Sequence, residues 1–469
     1  MATHNSELIT HSSTIAAIAT AIGTGGIGVA RISGPEAFGI ASRVFSSRAV
    51  HDLPSHTAHH AALVHPETGD EIDDVVLTVF KSPASYTGED VVEISCHGGI
   101  ATVRAALEAV LTAGARLAEP GEFTKRAFLN GKLDLSQAEA VNDLIRSRTD
   151  DARKVALRQL DGALSAPVSE ISERILGVLA AIEAAIDFPE DVGDPDPGWL
   201  ESELRWALGR IDELIGSFGK GRVYREGIRV VIAGRVNVGK SSLLNALLRR
   251  ARAIVTPIPG TTRDTIEENL EIRGIPIVAI DTAGVRDTND PVERMGVEQA
   301  EKSLRSADII LLVFDISEGI TDEDIELTSR AEDKPAIVIL NKIDLLPEEA
   351  RGLATEEFYG ELGRSFPTVQ TCASSGSGID LLEDAIAALV GACDMGSESA
   401  VVSNIRHKAA LDTARESLSN ALATLSRAEP IDLLSVDLTA AHSSLGLITG
   451  ETATDDLLDR IFGEFCIGK

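Results

Sequence analysis

The sequence predicts a multidomain protein of mixed α/β and α+β class. It has an α+β N-terminal domain, an all-α helical domain split into two pieces, and a doubly wound α/β domain inserted between them. Three observations carry that prediction. Short apolar strand patterns mixed with helical stretches fill the chain from Thr14 to about residue 130. Long amphipathic helices dominate from Ser136 to about residue 217 and return beyond residue 390. Between these flanks, buried strands alternate with helices, the pattern of a parallel sheet covered on both faces. The boundaries read as 1–130 for the N-terminal domain, 131–220 for the first helical piece, 221–392 for the inserted domain and 393–469 for the second helical piece.

Composition agrees with several folded domains. At about 150 residues per domain, 469 residues give about three. With 44% hydrophobic and 25% charged residues, disorder along most of the length is excluded. Lys and Arg number 43 against 73 Asp and Glu, a net charge of −30. That excludes a chain that wraps nucleic acid unaided, because neutralising phosphates takes clustered cations; RNA contact would need a local basic patch or a basic partner. The cysteines, Cys96, Cys372, Cys393 and Cys466, are too scattered for a disulfide framework or a CxxC zinc site. A reducing, cytoplasmic setting is expected. No secretion signal or membrane-spanning run is evident, so no membrane association is expected.

In order along the chain, Ile27–Ile32, Asp73–Phe80 and Asp90–Cys96 read as strands, and 101–114 has helical spacing with a terminal glycine. Ser136 and Glu139 have capping-box spacing, and apolar residues then recur at three and four through Ile145, Val155, Leu157 and Leu160. Asp187–Trp199, rich in proline and carboxylates, should be a solvated loop. Ile228–Gly234, Ile275–Asp281, Asp308–Asp315 and Ala336–Lys342 are the expected strands of the inserted sheet, and 407–425 and 435–449 the returning helices.

The loop GRVNVGKSS, Gly234–Ser242, fits G-x4-G-K-[ST] between a buried strand and a helix. Glycines at 234 and 239 let backbone N–H groups approach phosphates, Lys240 reaches the β and γ oxygens, and the Ser241 hydroxyl suits Mg²⁺. Asn237, Val238, Gly239, Lys240, Ser241 and Ser242 are thus nucleotide-binding candidates, Lys240 also as a catalytic charge. Two further elements follow at strand ends: DTAG (Asp281, Thr282, Ala283, Gly284) and NKID (Asn341, Lys342, Ile343, Asp344). The Asp344 carboxylate can accept from guanine N1–H and the 2-amino group, which adenine cannot offer, so GTP is favoured. PIPGTTRD, Pro257–Asp264, has the place of a switch loop, with Thr261 or Thr262 sensing Mg²⁺ and the γ-phosphate. Val285 stands where a glutamine orients the attacking water in Ras-like enzymes, so that water needs another partner.

Read with the flanks, these segments resemble the TrmE (MnmE) family of tRNA-modification GTPases, among the TrmE/Era-like P-loop GTPases. The specific features are GTGGIGVARISG, SYTGEDVVEISCHGG and PGEFTKRAFLNGKLDLSQAEA near the N-terminus, the segment DTAGVRDTNDPVERMG, and GLITGETATDDLLDRIFGEF before Cys466, Ile467, Gly468 and Lys469. The resemblance runs from about Thr14 to Lys469. It implies that 1–130 is a folate-binding-like and dimerisation domain, and that the protein is a homodimer. The partner it implies is FAD-dependent and of the MnmG type, in a heterotetramer or larger complex; FAD enters only through that partner. With tRNA as substrate, an aminomethyl or carboxymethylaminomethyl group would be added at C5 of the wobble uridine. The carbon would come from a 5,10-methylene- or 5-formyl-tetrahydrofolate, with K⁺-dependent GTP hydrolysis required.

Residue by residue, the resemblance implies K⁺ contacts at Asn237, Thr256, Ile258 and Thr261, and Mg²⁺ ligands at Ser241 and Thr262. The switch loop Thr256, Pro257, Ile258, Pro259, Gly260, Thr261, Thr262 would lie against the nucleotide. Glu293 would orient the hydrolytic water that Val285 cannot. Arg31, Glu93, Lys132 and Lys469 match folate contacts, and Cys466 is either a catalytic or folate-site thiol or a residue packed behind Phe462 and Phe465. Pro257 and Pro259 stiffen a loop where many relatives carry aspartate and alanine. Cys372 replaces a usual serine beside Ala373 and Ser374, where the Ala373 N–H is expected at guanine O6. The competing reading is a regulatory GTPase switch such as a ribosome-assembly factor; the N-terminal domain and C-terminal tail argue against it.

Overall fold

Alternating apolar residues shape six strands into the sheet of one of the two units into which the chain divides, Met1–Asn142 with His442–Lys469; the other unit is Asp143–Ala441. The computed structural model describes residues 13–45, 50–250, 267–281, 302–331, 333–362, 366–391, 401–427 and 429–469.

In the first unit the strands are β1 (Ile15–Ile18), β2 (Ile27–Ser33), β3 (Thr57–Val64), β4 (Glu71–Phe80), β5 (Val91–His97) and β6 (Arg116–Leu117), in the order β3-β4-β5-β2-β1-β6. Neighbours are antiparallel apart from β1 with β6, which run parallel. Along β4 the period of two is plain: Val75, Leu77 and Val79 are buried while Val76 is exposed. The buried face packs on Ala37–Val44 and Ile100–Thr112 through Phe38, Ile40, Val103 and Val110. A separate cluster joins Leu135 and Ala138 to Leu458 and Phe462 of the helix Asp455–Gly463 and to Phe465 just beyond its end. Gly121, at φ 67°, permits this: a Cβ there would lie 2.5 Å from the Phe462 carbonyl oxygen.

The helix expected to be capped by Ser136 is capped two residues earlier and runs Leu135–Arg146. Its cap is Asp134, whose Oδ1 accepts from the Gln137 N–H at 2.9 Å while Gln137 Oε1 accepts from the Asp134 N–H at 2.9 Å. The capping box is thus Asp134 with Gln137, and Ser136 sits inside the first turn, where its hydroxyl donates to Asp134. Burying Leu135, fully enclosed, fixes that choice.

In the second unit the helices Asp150–Leu160, Ser165–Asp187, Pro197–Glu226 and Ile405–Ser426 supply the helical part. Asp196 caps Pro197–Glu226 by accepting from the Trp199 N–H at 2.8 Å, so the expected loop closes at Asp196 rather than Trp199. The sheet comprises β7 (Ile228–Ala233), β8 (Glu267–Ile272), β9 (Ile275–Asp281), β10 (Ile309–Asp315), β11 (Ala336–Asn341) and β12 (Thr368–Gln370), ordered β12-β11-β10-β7-β9-β8. All pair in parallel except the β8–β9 hairpin. Strands buried on both faces read as continuous apolar runs, as β10 does with every residue enclosed. One face packs on Lys240–Arg250 and Ile379–Leu389, through Leu243, Leu247 and Ile386; Phe314 packs on Phe358 of Glu348–Leu362 in the other core. No described helix is long and apolar enough to cross a membrane.

Candidate functional site

The phosphate loop leaves β7 at Ala233 and enters the helix at Lys240. Two glycines are forced by crowding. A Cβ on Gly234 would lie 2.4 Å from the Val313 carbonyl oxygen, and one on Gly239, at φ 101°, 2.3 Å from Asn341 Nδ2. Asn237 takes a left-handed backbone, φ 67°, and its exposed amide makes no hydrogen bond among the described residues. Lys240 is buried, and its ammonium donates to the carbonyl oxygens of Gly234 at 2.8 Å and Arg235 at 2.7 Å. The ammonium is thereby held over the loop, at the positive end of its helix, where an anion is favoured. Ser241 and Ser242, on the first turn, are exposed. Arg235 anchors the loop: its Nε donates to Asp324 Oδ1 at 2.9 Å, and Asp324 is fully buried as the capping-box partner of Thr321.

Beside the loop stand the residues expected to read the base. Asn341 closes β11, is buried, and donates from Nδ2 to the Val238 carbonyl at 2.9 Å. Its Oδ1 accepts from Thr371 Oγ1 at 3.2 Å and from the Ala373 N–H at 3.1 Å. One side chain therefore ties three loops together. The Ala373 N–H, expected at guanine O6, is engaged by Asn341. Lys342 takes φ 63° and its ammonium meets Asp315 Oδ2 at 2.6 Å. Burial works against the Asp315 carboxylate, but Lys342, the Ser317 hydroxyl and the Ser317 N–H outweigh it and hold its pKa below 3.8. Asp344 is exposed and makes no hydrogen bond or ion pair among the described residues, leaving both oxygens for a ligand. Cys372 is buried, its thiol 3.1 Å from Ser374 Oγ.

Asp281 closes β9. Thr256, Pro257, Ile258, Pro259, Gly260, Thr261, Thr262, Thr282, Ala283, Gly284, Val285 and Glu293 lie outside the described residues.

In the other unit, β2 and β5 pair Arg31 opposite Glu93. The guanidinium donates from Nε to Glu93 Oε1 at 2.9 Å and stands 5.6 Å from the Tyr86 ring centroid and 5.7 Å from that of Phe123. Its third nitrogen reaches the Gly468 carbonyl at 3.4 Å, and the Lys469 ammonium lies 5.9 Å from the Tyr86 ring. Burial lowers the Lys469 pKa and the Arg31 charge lowers it further, against Glu93. Burial likewise raises the Tyr86 pKa, its hydroxyl 2.9 Å from Thr124 Oγ1. Arg31, Glu93 and Lys469 thus come together, while Lys132 is exposed and donates to the Pro83 carbonyl at 3.1 Å. Cys466 is exposed rather than packed behind Phe462 and Phe465, which are buried without it.

Sequence reading missed Arg235 with Asp324, Asp315, and the aromatic pair Tyr86 and Phe123. Only Asp315 left a signal: an acid ending an otherwise apolar strand, in register with Asn341.

Comparisons with known proteins bear on these sites. A family model described as the MnmE helical domain matches residues 135–466. One described as the GTP-binding protein TrmE N-terminus matches residues 14–132. The tRNA modification GTPase MnmE of Geobacillus kaustophilus is 47% identical over 468 residues, 98% of this chain and 100% of that protein. That of Moorella thermoacetica is 47% identical over 463 residues, covering 97% and 99%, and that of Symbiobacterium thermophilum 48% over 461 residues, covering 97% and 99%.

Proposed function

Because the chain belongs to the MnmE family of tRNA modification GTPases, we propose that it couples K⁺-dependent GTP hydrolysis to modification of the wobble uridine at C5. The group added is aminomethyl or carboxymethylaminomethyl, its carbon carried by 5,10-methylene- or 5-formyl-tetrahydrofolate. The protein works as a homodimer with an FAD-dependent partner of the MnmG type, which alone brings FAD.

GTP lies with its phosphates on Asn237–Ser242, where the Lys240 ammonium neutralises the β and γ oxygens. Asp344 selects guanine through N1–H and the 2-amino group, and Asn341, Lys342, Cys372, Ala373 and Ser374 shape the wall beside it. Ser241 and Thr262 would hold Mg²⁺; Asn237, Thr256, Ile258 and Thr261 would hold K⁺. The free, exposed Asn237 amide supplies the hard oxygen that such cations take. When bound, the two cations supply positive charge where charge develops on the phosphoryl oxygens. Glu293 holds the attacking water by accepting its hydrogen bond, with the 256–262 loop and Asp281, Thr282, Ala283 and Gly284 closing on the γ-phosphate. Glu293→Ala is expected to leave GDP affinity intact and to slow turnover by about 100-fold or more. Turnover in KCl is expected to exceed that in NaCl.

The observation that carries the modification chemistry is the cluster of Arg31, Glu93, Lys469, Tyr86 and Phe123. A pterin needs a carboxylate for its N–H edge and flat faces to lie on, and folate carboxylates need cations. The ammonium of Lys469, its charge disfavoured by burial, gains most from an anion. Lys132 and Cys466, both exposed, stand as an outer folate contact and a reactive thiol. The division into 1–130, 131–220, 221–392 and 393–469 belongs to this reading, although the helix Pro197–Glu226 runs past 220 and the chain passes to strand only at Gly227. Mass spectrometry of wobble uridines tests the proposal: a strain lacking the protein should lose the C5 group, wild type should restore it, and Arg31→Ala should not. Restoration by Arg31→Ala would reject the folate site.

A further inference from the structure

The β8–β9 hairpin is held at its tip by the helical segment of its own unit. Arg148, between the helices Leu135–Arg146 and Asp150–Leu160, donates its guanidinium to Asn269 Oδ1 on β8. Asp151 presses on the turn itself: its Oδ2 lies 2.3 Å from where a Cβ of Gly274 would be, while its Oδ1 holds Lys154 at 2.9 Å. The turn is a two-residue one, with Arg273 at φ 50° and Gly274 at φ 81° between the paired Ile272 and Ile275. Positive φ at both positions gives the tight turn whose twist matches the strands, so the tip is a stiff corner rather than a floppy loop. From the sheet side Arg273 Nε donates to Asp384 Oδ1 at 2.8 Å. Gly227, where the chain passes from helix to β7, is tight against the same hairpin; a Cβ there would lie 2.8 Å from the Pro276 carbonyl oxygen.

The opposite end of the hairpin faces the nucleotide loops along the chain. β8 begins at Glu267, separated in the sequence by two residues from the end of PGTTRD at Asp264, and β9 ends at Asp281, the first residue of DTAG. Both nucleotide-sensing segments are therefore continuous with one end of a two-stranded rod, about 20 Å long at about 3.3 Å per residue, whose other end bears on Arg148 and Asp151. β8 is the edge strand, hydrogen-bonded to β9 alone. An edge strand has half the ladder resisting a slide or a peel that a central strand has. Within the hairpin β8 is thus the strand that a change upstream of it moves more easily, while β9 is also paired with β7.

We propose that the β8–β9 hairpin transmits the nucleotide state to the helical segment, with Arg148 and Asp151 as positioning residues that make that segment follow it. The proposal rests on nucleotide binding at the phosphate loop and not on the folate chemistry, so the two readings fail separately. Coupling of this kind is reciprocal: if the nucleotide moves the latch, cutting the latch must change how the site ranks its nucleotides. The test uses the full chain with Mg²⁺ and measures the affinities for GDP and for a non-hydrolysable GTP analogue. Arg148→Ala and Asp151→Ala should shift the ratio of the two affinities by about fivefold. Asn269→Ala, which cuts the Arg148 bond from the hairpin side, should shift it in the same direction. Hydrogen exchange of 150–160 should differ between the two nucleotides in wild type and cease to differ in Arg148→Ala. A ratio at the wild-type value in the variants, or an equal loss of both affinities, would overturn the proposal, since either outcome leaves the latch a packing contact only.

Discussion

The ammonium of Lys469 shows how one residue ties burial to ligand choice. Burial, then the neighbouring Arg31 charge, lowers its pKa from 10.5. Between the lowered native value and 10.5 the unfolded chain binds more protons than the native one. Stability therefore rises with pH through that window, and the cost of burying the charge stands in full below it. A bound folate carboxylate favours the charged form and pulls the pKa back up. Tetrahydrofolate binding should thus take up a proton within the window, and affinity should fall as pH rises past the free-protein value. Calorimetry in buffers of different ionisation enthalpy reads this, and Lys469→Met should abolish the pH slope. In the nucleotide site Gly239→Ala should remove measurable GDP binding, because the new methyl would meet Asn341 Nδ2 on a backbone at φ 101° that alanine resists. Fluorescent-GDP titration checks it. Lys240, Gly239 and Asp344 were legible in the sequence because phosphate and guanine each accept few residue types at fixed spacing. Asp324 and Phe123 were not, since a long-range pairing such as Arg235 with Asp324 joins residues 89 positions apart.

At the scale of elements, the helix Leu135–Arg146 shows where local reading stops. Asp134 with Gln137 and Ser136 with Glu139 satisfy the same spacing rule, and nothing local separates them. Tertiary packing decides, because the register that encloses Leu135 against Phe462 makes Asp134 the cap. Asp134→Ala should cost about 1 kcal/mol and Ser136→Ala less, read from denaturant midpoints. The apolar strands β9, β10 and β11 were readable almost to the residue, since burial on both faces leaves a continuous run. β8 and β12 were not: β8, EENLEI, is apolar only at Leu270 and Ile272 because an edge strand need not be apolar on both sides, and β12 is three residues long.

For the molecule as a whole, the charge of −30 limits what it holds alone. The full chain should retain tRNA weakly in a gel-shift assay at physiological salt, and adding a basic partner protein should restore retention that then falls steeply with salt. The insertion of the sheet into the helical part has a further consequence, for synthesis rather than for chemistry. Leu200, Leu204, Ala207, Ile211 and Leu214 line Pro197–Glu226, and the later helix Ile405–Ser426 packs on it; Gly221 brings the Val402 carbonyl within 2.2 Å of where a Cβ would be. About 175 residues separate these partners, so at about 5–20 residues per second the first helix waits on the order of 10–35 s for the second to leave the ribosome. Throughout that interval the nascent chain carries an apolar stripe covered only in part, by the earlier helices Asp150–Leu160 and Ser165–Asp187, which makes it a substrate for ribosome-associated chaperones until the sheet has been made and the last helices arrive.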